Sequence, residues 1–149
     1  MATLDLQIAS RCKSIPAKSD IRKWISAALP ANKNISLRIV DSEEIQALNL
    51  RYRFIDKPTN VLSFPCELPE GVDDPLLGDI VICGEVIEQE AANFNKALDA
   101  HWAHIVIHGT LHLMGYDHME EAEAETMEKL ETTILKKLGY PEPYTQQET

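Results

Sequence analysis

Residues His108–His118 read HGTLHLMGYDH, and the spacing of the three histidines predicts an element and a chemistry together. His108 and His112 are four apart, so a helix stacks them on one face. Gly115 suits the left-handed conformation that ends a helix, after which the chain can turn and bring His118 back toward the pair. Three imidazoles around one ion leave a fourth position for an exchangeable ligand, the arrangement of catalytic rather than structural zinc. Running back to Asp99, the same helix is apolar on several sides, which predicts a central place in the fold.

His101 and His104 continue the histidine face upstream, and helix geometry limits which of the four can share an ion. His104 and His112 would lie about 12 Å apart along the axis, too far for one ion with bonds near 2.1 Å. Either His104/His108 or His108/His112 is the chelating pair, and the bend at Gly115 favours the second because it supplies His118 as the third partner. His104 then becomes a residue that touches the site through a hydrogen bond or water, and Asp117, beside His118, can orient an imidazole or accept a proton.

Outward from the motif, the chain alternates strand and helix patterns. Leu4, Leu6 and Ile8 alternate as a strand. Ser19 would cap a helix to Leu29 with Ile21, Trp24, Ile25 and Ala28 on one face. Ile35, Leu37 and Ile39 form a second strand, and Asp41 or Ser42 opens a helix with Ile45, Leu48 and Tyr52 as its apolar stripe. A turn from Asp56 leads to a third strand, Val61–Phe64. Cys66–Pro75 has no periodicity and predicts an irregular, mobile loop. Ile80–Cys83 is a fourth strand, followed by a helix from Glu85 to Lys96 with Val86, Ile87, Ala91 and Phe94 in step. Asp99 would cap the motif helix. The last helix, Glu120–Leu138, places Met127, Leu130, Ile134 and Leu138 on its buried face and stops at Gly139.

The 149 residues fit one domain spanning 1–149, with 141–149 as a flexible tail. No apolar run is long enough for a membrane span and Asp5 interrupts any secretory segment, so the expected location is the cytoplasm, without membrane attachment. Cys12, Cys66 and Cys83 are odd in number and unpaired in spacing, which suits small core residues in a reducing compartment. Lys and Arg number 14 against 24 Asp and Glu, for a formal charge of −10. That balance argues against a general phosphate-backbone binder. The cations Lys33, Arg38, Arg51, Arg53 and Lys57 are nevertheless grouped, and would gather around a cleft while the acidic final helix faces solvent or a protein.

The spacing HxxxHxxGxxH is shared with the metzincin proteases, which need a Glu directly after the first histidine as general base. Here that position is Gly109, so the metal arrangement is present without the peptide-hydrolysis machinery.

Three stretches together, HGTLHLMGYDH, LNLRYRFIDKPTNVLSFP from Leu48 to Pro65, and LGDI at Leu77–Ile80, resemble the YbeY family of bacterial rRNA-maturation factors. The resemblance implies a single-domain α/β (α+β) fold with one mixed four-stranded sheet. About five helices pack with it, the metal-site helix central. It implies a metal ion on His108, His112 and His118; the all-imidazole donor set makes Zn²⁺ the expected divalent ion, with Ni²⁺ also suited. The family's functionally important arginine falls on Arg53. The implied activity is single-strand-specific endoribonuclease action in small-subunit rRNA 3′-end maturation and ribosome quality control. The implied partners are rRNA and the ribosomal small subunit, with its proteins or assembly factors.

A guanidinium at Arg53 can hold phosphate oxygens bidentately and stabilise charge that develops during phosphodiester cleavage. The expected mechanism has the metal binding the scissile phosphate or activating water, with Asp117, or less favourably His104, as candidate base. Two other functions compete: an assembly factor in which the metal only stabilises the fold, and a hydrolase of another substrate, including a divergent peptidase.

Overall fold

Ile35, Leu37 and Ile39 alternate with polar residues and Ile80 alternates with Val81, and these two patterns organise the sheet. The computed structural model describes residues 3–29, 33–66, 76–116 and 120–143. In chain order the elements are β1 Thr3–Ala9, α1 Lys18–Ala28, β2 Asn34–Val40, α2 Ser42–Arg53, β3 Val61–Pro65, β4 Leu76–Cys83, α3 Gly84–Asn93, α4 Leu98–Leu113 and α5 Glu121–Lys137. The strands form one mixed sheet in the order β1-β2-β4-β3. β1, β2 and β4 run parallel, with Leu37 opposite both Leu6 and Ile80, and β3 is antiparallel to β4 with Ser63 opposite Ile80. The fold is a single α/β domain with five helices among the described residues.

β4 alternates between two cores. Ile80 and Ile82 join Ile35, Leu37 and Ile39 in the larger core beneath the helices, with Trp24, Trp102, Ile107 and Leu111. Val81 and Cys83 point the other way, into a smaller core with Val40, Ile45 and Leu62 that α2 covers. A strand covered on both faces is buried throughout, which accounts for the apolar run IVIC. α4 packs against α1, α3, α5, β3 and β4. It is buried on every side except at a few positions, as its all-round apolar composition requires.

Several local expectations change. α1 begins at Lys18 with Ala17 as N-cap. Ser19 thus lies inside the helix, and the Ala17 carbonyl accepts from the amides of Asp20 and Ile21. α4 likewise begins after Ala97. Asp99 serves from inside the first turn, its Oδ1 accepting from the Ala100 amide at 2.9 Å. Ile8, Tyr52 and Phe94 are exposed: Ile8 is on the edge strand β1, Tyr52 packs only partly, on Phe64, and Phe94 falls past the last residue of α3, which ends at Asn93 rather than Lys96. Pro141 to Pro143, expected as the start of a tail, are docked: Pro143 is buried and its carbonyl accepts from Lys96 Nζ at 2.6 Å. The loop from 67 to 75 and the tail from 144 lie outside the described residues. Of the cysteines, Cys83 alone is in a core; Cys12 is half-buried and Cys66 exposed.

Gly109 marks a close approach of α4 to the sheet. A Cβ there would meet Val61 Cγ2 at 3.1 Å, Ile80 Cγ2 at 3.3 Å and Ser63 Oγ at 3.4 Å. Ser63 Oγ also donates to the Gly109 carbonyl at 3.0 Å. A branched side chain there would have to push helix and sheet apart. Gly109→Leu is expected to destabilise the protein by about 1–3 kcal/mol or more, despite leucine's better helix propensity; a denaturant midpoint equal to that of the unaltered protein would show that the contact can relax.

Candidate metal centre

Four histidines line one side of α4, and two carboxylates from neighbouring helices decide what each can do. Glu90, from α3, takes His101 Nε2 at 3.0 Å and the side-chain amide of Asn60 at 3.1 Å. Glu131, from α5, takes His104 Nε2 on one oxygen at 2.9 Å and His108 Nδ1 on the other at 2.6 Å. An ionised carboxylate only accepts, so the hydrogen-bond network assigns the His108 proton to Nδ1 and leaves the lone pair on Nε2. That Nε2 lies 3.1 Å from His112 Nε2.

The local sequence produces this convergence. His108 and His112 fall in the last two turns of α4, which ends in a Schellman cap: the Gly115 amide donates to the His112 carbonyl at 3.0 Å and the Tyr116 amide to that of Leu111 at 3.1 Å. Gly115 sits at φ +99°, the left-handed position that favours glycine. The chain therefore leaves the helix turning beside the two imidazoles.

Glu131 is fully buried. Burial alone would push its carboxyl up, but the hydrogen bonds and charge of His104 and His108 outweigh that and bring it down to about 2. His104 goes the other way: burial holds its pKa below the usual value, against the pull of Glu131. For Glu90, the bonds from His101 and Asn60 overcome burial and lower the carboxyl. Both carboxyls are thus held in the ionised form, and burial disfavours the charged form of His104; deprotonated groups are the ones that bind metal.

Two groupings could accept a cation. His104, His108 and Glu131 each bring a ligand atom within 4.8 Å of the others, although those atoms already share two hydrogen bonds. On its other edge His108 meets His112. Nitrogens bonded to one tetrahedral zinc lie about 3.4 Å apart, and the 3.1 Å between the two Nε2 atoms is close to that. The ring centroids of this pair are 4.6 Å apart, against 6.2 Å for His104 and His108.

The His108/His112 pair opens on a cleft of about 790 Å³ that is also lined by Tyr52, Arg53, Asn60, Ser63, Phe64 and Tyr116. Arg53 is the last residue of α2 and brings its side chain to this wall. Of the other grouped cations, Arg38 is held at 2.8 Å by Glu44, so the expected ring of positive charge reduces to Arg53 among the described lining residues. None of those residues is acidic. His104 does not line the cleft and reaches His108 through Glu131. Asp117 and His118 lie outside the described residues.

Glu131 is the residue that sequence reasoning missed. It was counted with the acids of a solvated helix, yet Met127, Glu131, Ile134 and Leu138 follow the i, i+4, i+7, i+11 spacing of the buried face. A carboxylate in step with an apolar stripe, on a chain with four histidines in step on another helix, was the available signal.

Two outcomes follow from this network. Glu131→Gln should weaken metal affinity by about 10- to 100-fold in a chelator competition with little change in helicity, and unchanged affinity would remove Glu131 from the metal's support. In metal-free protein, stability should decline on acidification in two stages. The first begins near the ordinary histidine value of 6.5, because His104 binds its proton more readily unfolded. The second runs from the ordinary 4.5 down to about 2, because folded Glu131 resists protonation. Urea midpoints measured against pH should lose the lower stage in Glu131→Gln.

A protein-family model described as Endoribonuclease YbeY matches residues 7–139. Among solved structures, the chain is similar to the solution structure of TM1509 from Thermotoga maritima. The TM-score is 0.54 and the identity 25%, over 97% of this chain and 96% of that one. The family model covers nearly the whole chain, and the chain belongs to the YbeY endoribonuclease family.

Proposed function

We propose that the protein is a metal-dependent, single-strand-specific endoribonuclease of the cytoplasm. It would act in rRNA processing, in 3′-end maturation of the small-subunit rRNA and in ribosome quality control, with the small subunit and its proteins or assembly factors as partners. The observation that carries this reading is the convergence of His108 and His112 at 3.1 Å on a cleft shared with Arg53 and free of acids among its described lining residues. The Arg53 guanidinium at this wall supports binding of an anionic strand. No helix among the described residues is long and apolar enough to cross a membrane.

In this reading His108, His112 and His118 hold one divalent ion, zinc by preference for an all-imidazole set, with nickel also suited. When bound, such an ion supplies Lewis acidity toward a phosphoryl oxygen and lowers the pKa of water. Arg53 grips the phosphate through its planar fork of donors and stabilises the charge that builds up on its oxygens. Glu131 holds His108 in the tautomer that presents Nε2, and His104 completes Glu131's hydrogen bonding from behind. The seclusion of His104 from the cleft supports an orienting role for it and leaves Asp117 as the candidate base.

Gly109 weighs against a peptidase: it carries no side chain to act as a base, and a Cβ there would press on Val61, Ile80 and Ser63.

Cleavage of a defined single-stranded RNA by metal-loaded, chelator-treated and His112→Ala protein separates the enzyme from a non-catalytic assembly factor. Cutting should be lost in both treated samples with folding retained; equal trace activity in all three would favour the assembly factor. Arg53→Ala should keep its bound metal and lose about 10²–10³-fold in cleavage rate. Undiminished cutting would end the phosphate role.

A further inference from the structure

Neither the histidines nor Arg53 account for the aromatic wall of the cleft. Tyr52, which its spacing places in the buried stripe of α2, is instead 52% exposed. Its ring and that of Phe64 form a T-shaped pair, with centroids 5.1 Å apart and planes at 65°. The Arg51 guanidinium carbon lies 5.4 Å from the Tyr52 centroid. Both rings line the same cleft as Arg53, His108 and His112. A tyrosine braced by a second ring from the sheet, with a guanidinium from its own helix over its ring, is an ordered flat group on a residue that stays about half exposed.

The chemistry beside that surface limits its occupant. Arg51 and Arg53 flank Tyr52 in sequence, Arg53 reaches the cleft, and no described lining residue is acidic. A ligand with a flat π-face attached to an anion fits both features, and a nucleotide is such a ligand. A base inside a duplex already has both faces stacked on its neighbours, so only an unpaired base can use the ring.

We propose that Tyr52, braced by Phe64, is the stacking platform for an unpaired base adjoining the phosphate that Arg53 holds, and that this contact makes the cleft select single strands. The proposal rests on the endoribonuclease reading for its substrate and supplies that reading's basis for strand selection. Stacking is indifferent to base identity, so the platform selects for strandedness and only weakly for sequence.

The test is a stopped-flow titration of metal-loaded protein into a short single-stranded RNA carrying 2-aminopurine, read before turnover, with cleavage of the same RNA followed in parallel. The unaltered protein and Tyr52→Phe should quench the fluorophore. Tyr52→Leu should lose the quench and bind about tenfold more weakly, and the same sequence as a duplex should give no quench with any of them. Tyr52→Gln provides a second truncation if the leucine variant melts early. Tyr52-dependent quenching without cutting would sustain the platform and refute the nuclease. Cutting with quench and affinity indifferent to Tyr52 would refute the platform and leave the nuclease standing. Binding of apolar peptides in place of RNA, or no RNA binding at all, would overturn the platform outright.

Discussion

The Glu131 carboxylate, buried between His104 and His108, is the interaction on which the site depends. A buried anion is costly unless its lone pairs are occupied, and here two imidazoles of one helix occupy both oxygens, at 2.9 and 2.6 Å. The constraint acts in both directions. α5 must dock where its carboxylate meets two positions four apart on α4, and His108 must turn Nδ1 inward and Nε2 toward the cleft. One ion-dipole cluster thus joins the packing of two helices to the orientation of a ligand atom.

The sheet sets the remaining geometry through close approach. α4 lies so near β3 and β4 at Gly109 that the Ser63 hydroxyl reaches its carbonyl, and this proximity brings the cleft wall of β3 beside the histidines. β3 is an edge strand, so one side of it pairs with β4 while Val61 to Pro65 line the cleft. On the opposite face α2, packed on the smaller core through Ile45, ends at Arg53 and delivers Tyr52 and Arg53 to the same opening. A protein with a formal charge of −10 keeps the described lining of this cleft free of acids, while α5 and α3 carry several and Glu44 is paired with Arg38.

Much of the fold was legible because the period of the apolar residues is a local property. β2 and the apolar faces of α1 and α4 follow their periods, and Gly115 and Gly139 stop their helices as left-handed caps. What failed were features set by neighbours distant in sequence. Ile8 and Tyr52 continue their periods but stay exposed, Ile8 on an edge strand and Tyr52 packed only partly, on Phe64. Ser19 and Asp99 are good capping residues bypassed because extended backbone at Ala17 and Ala97 starts each helix sooner. Glu131 was illegible by charge alone, since nothing local separates a solvated glutamate from one awaited by two histidines on another helix. At the site, helix spacing left His104/His108 and His108/His112 as the two adjacent pairs; the Nε2 atoms of the second stand 3.1 Å apart, and Glu131 joins the first. His118 and Asp117 lie outside the described residues.

The order of these residues along the chain has a consequence for biosynthesis. Synthesis runs from the N-terminus, so His104, His108 and His112 emerge well before Glu131, and the whole sheet is complete by Cys83. A growing chain can therefore close its β-framework and form α4 while the carboxylate that orients His108 is still to come. For a protein proposed to act on rRNA, that sequence of events separates folding from competence: the nascent chain at the ribosome has its histidines but not yet the anion that sets their tautomer.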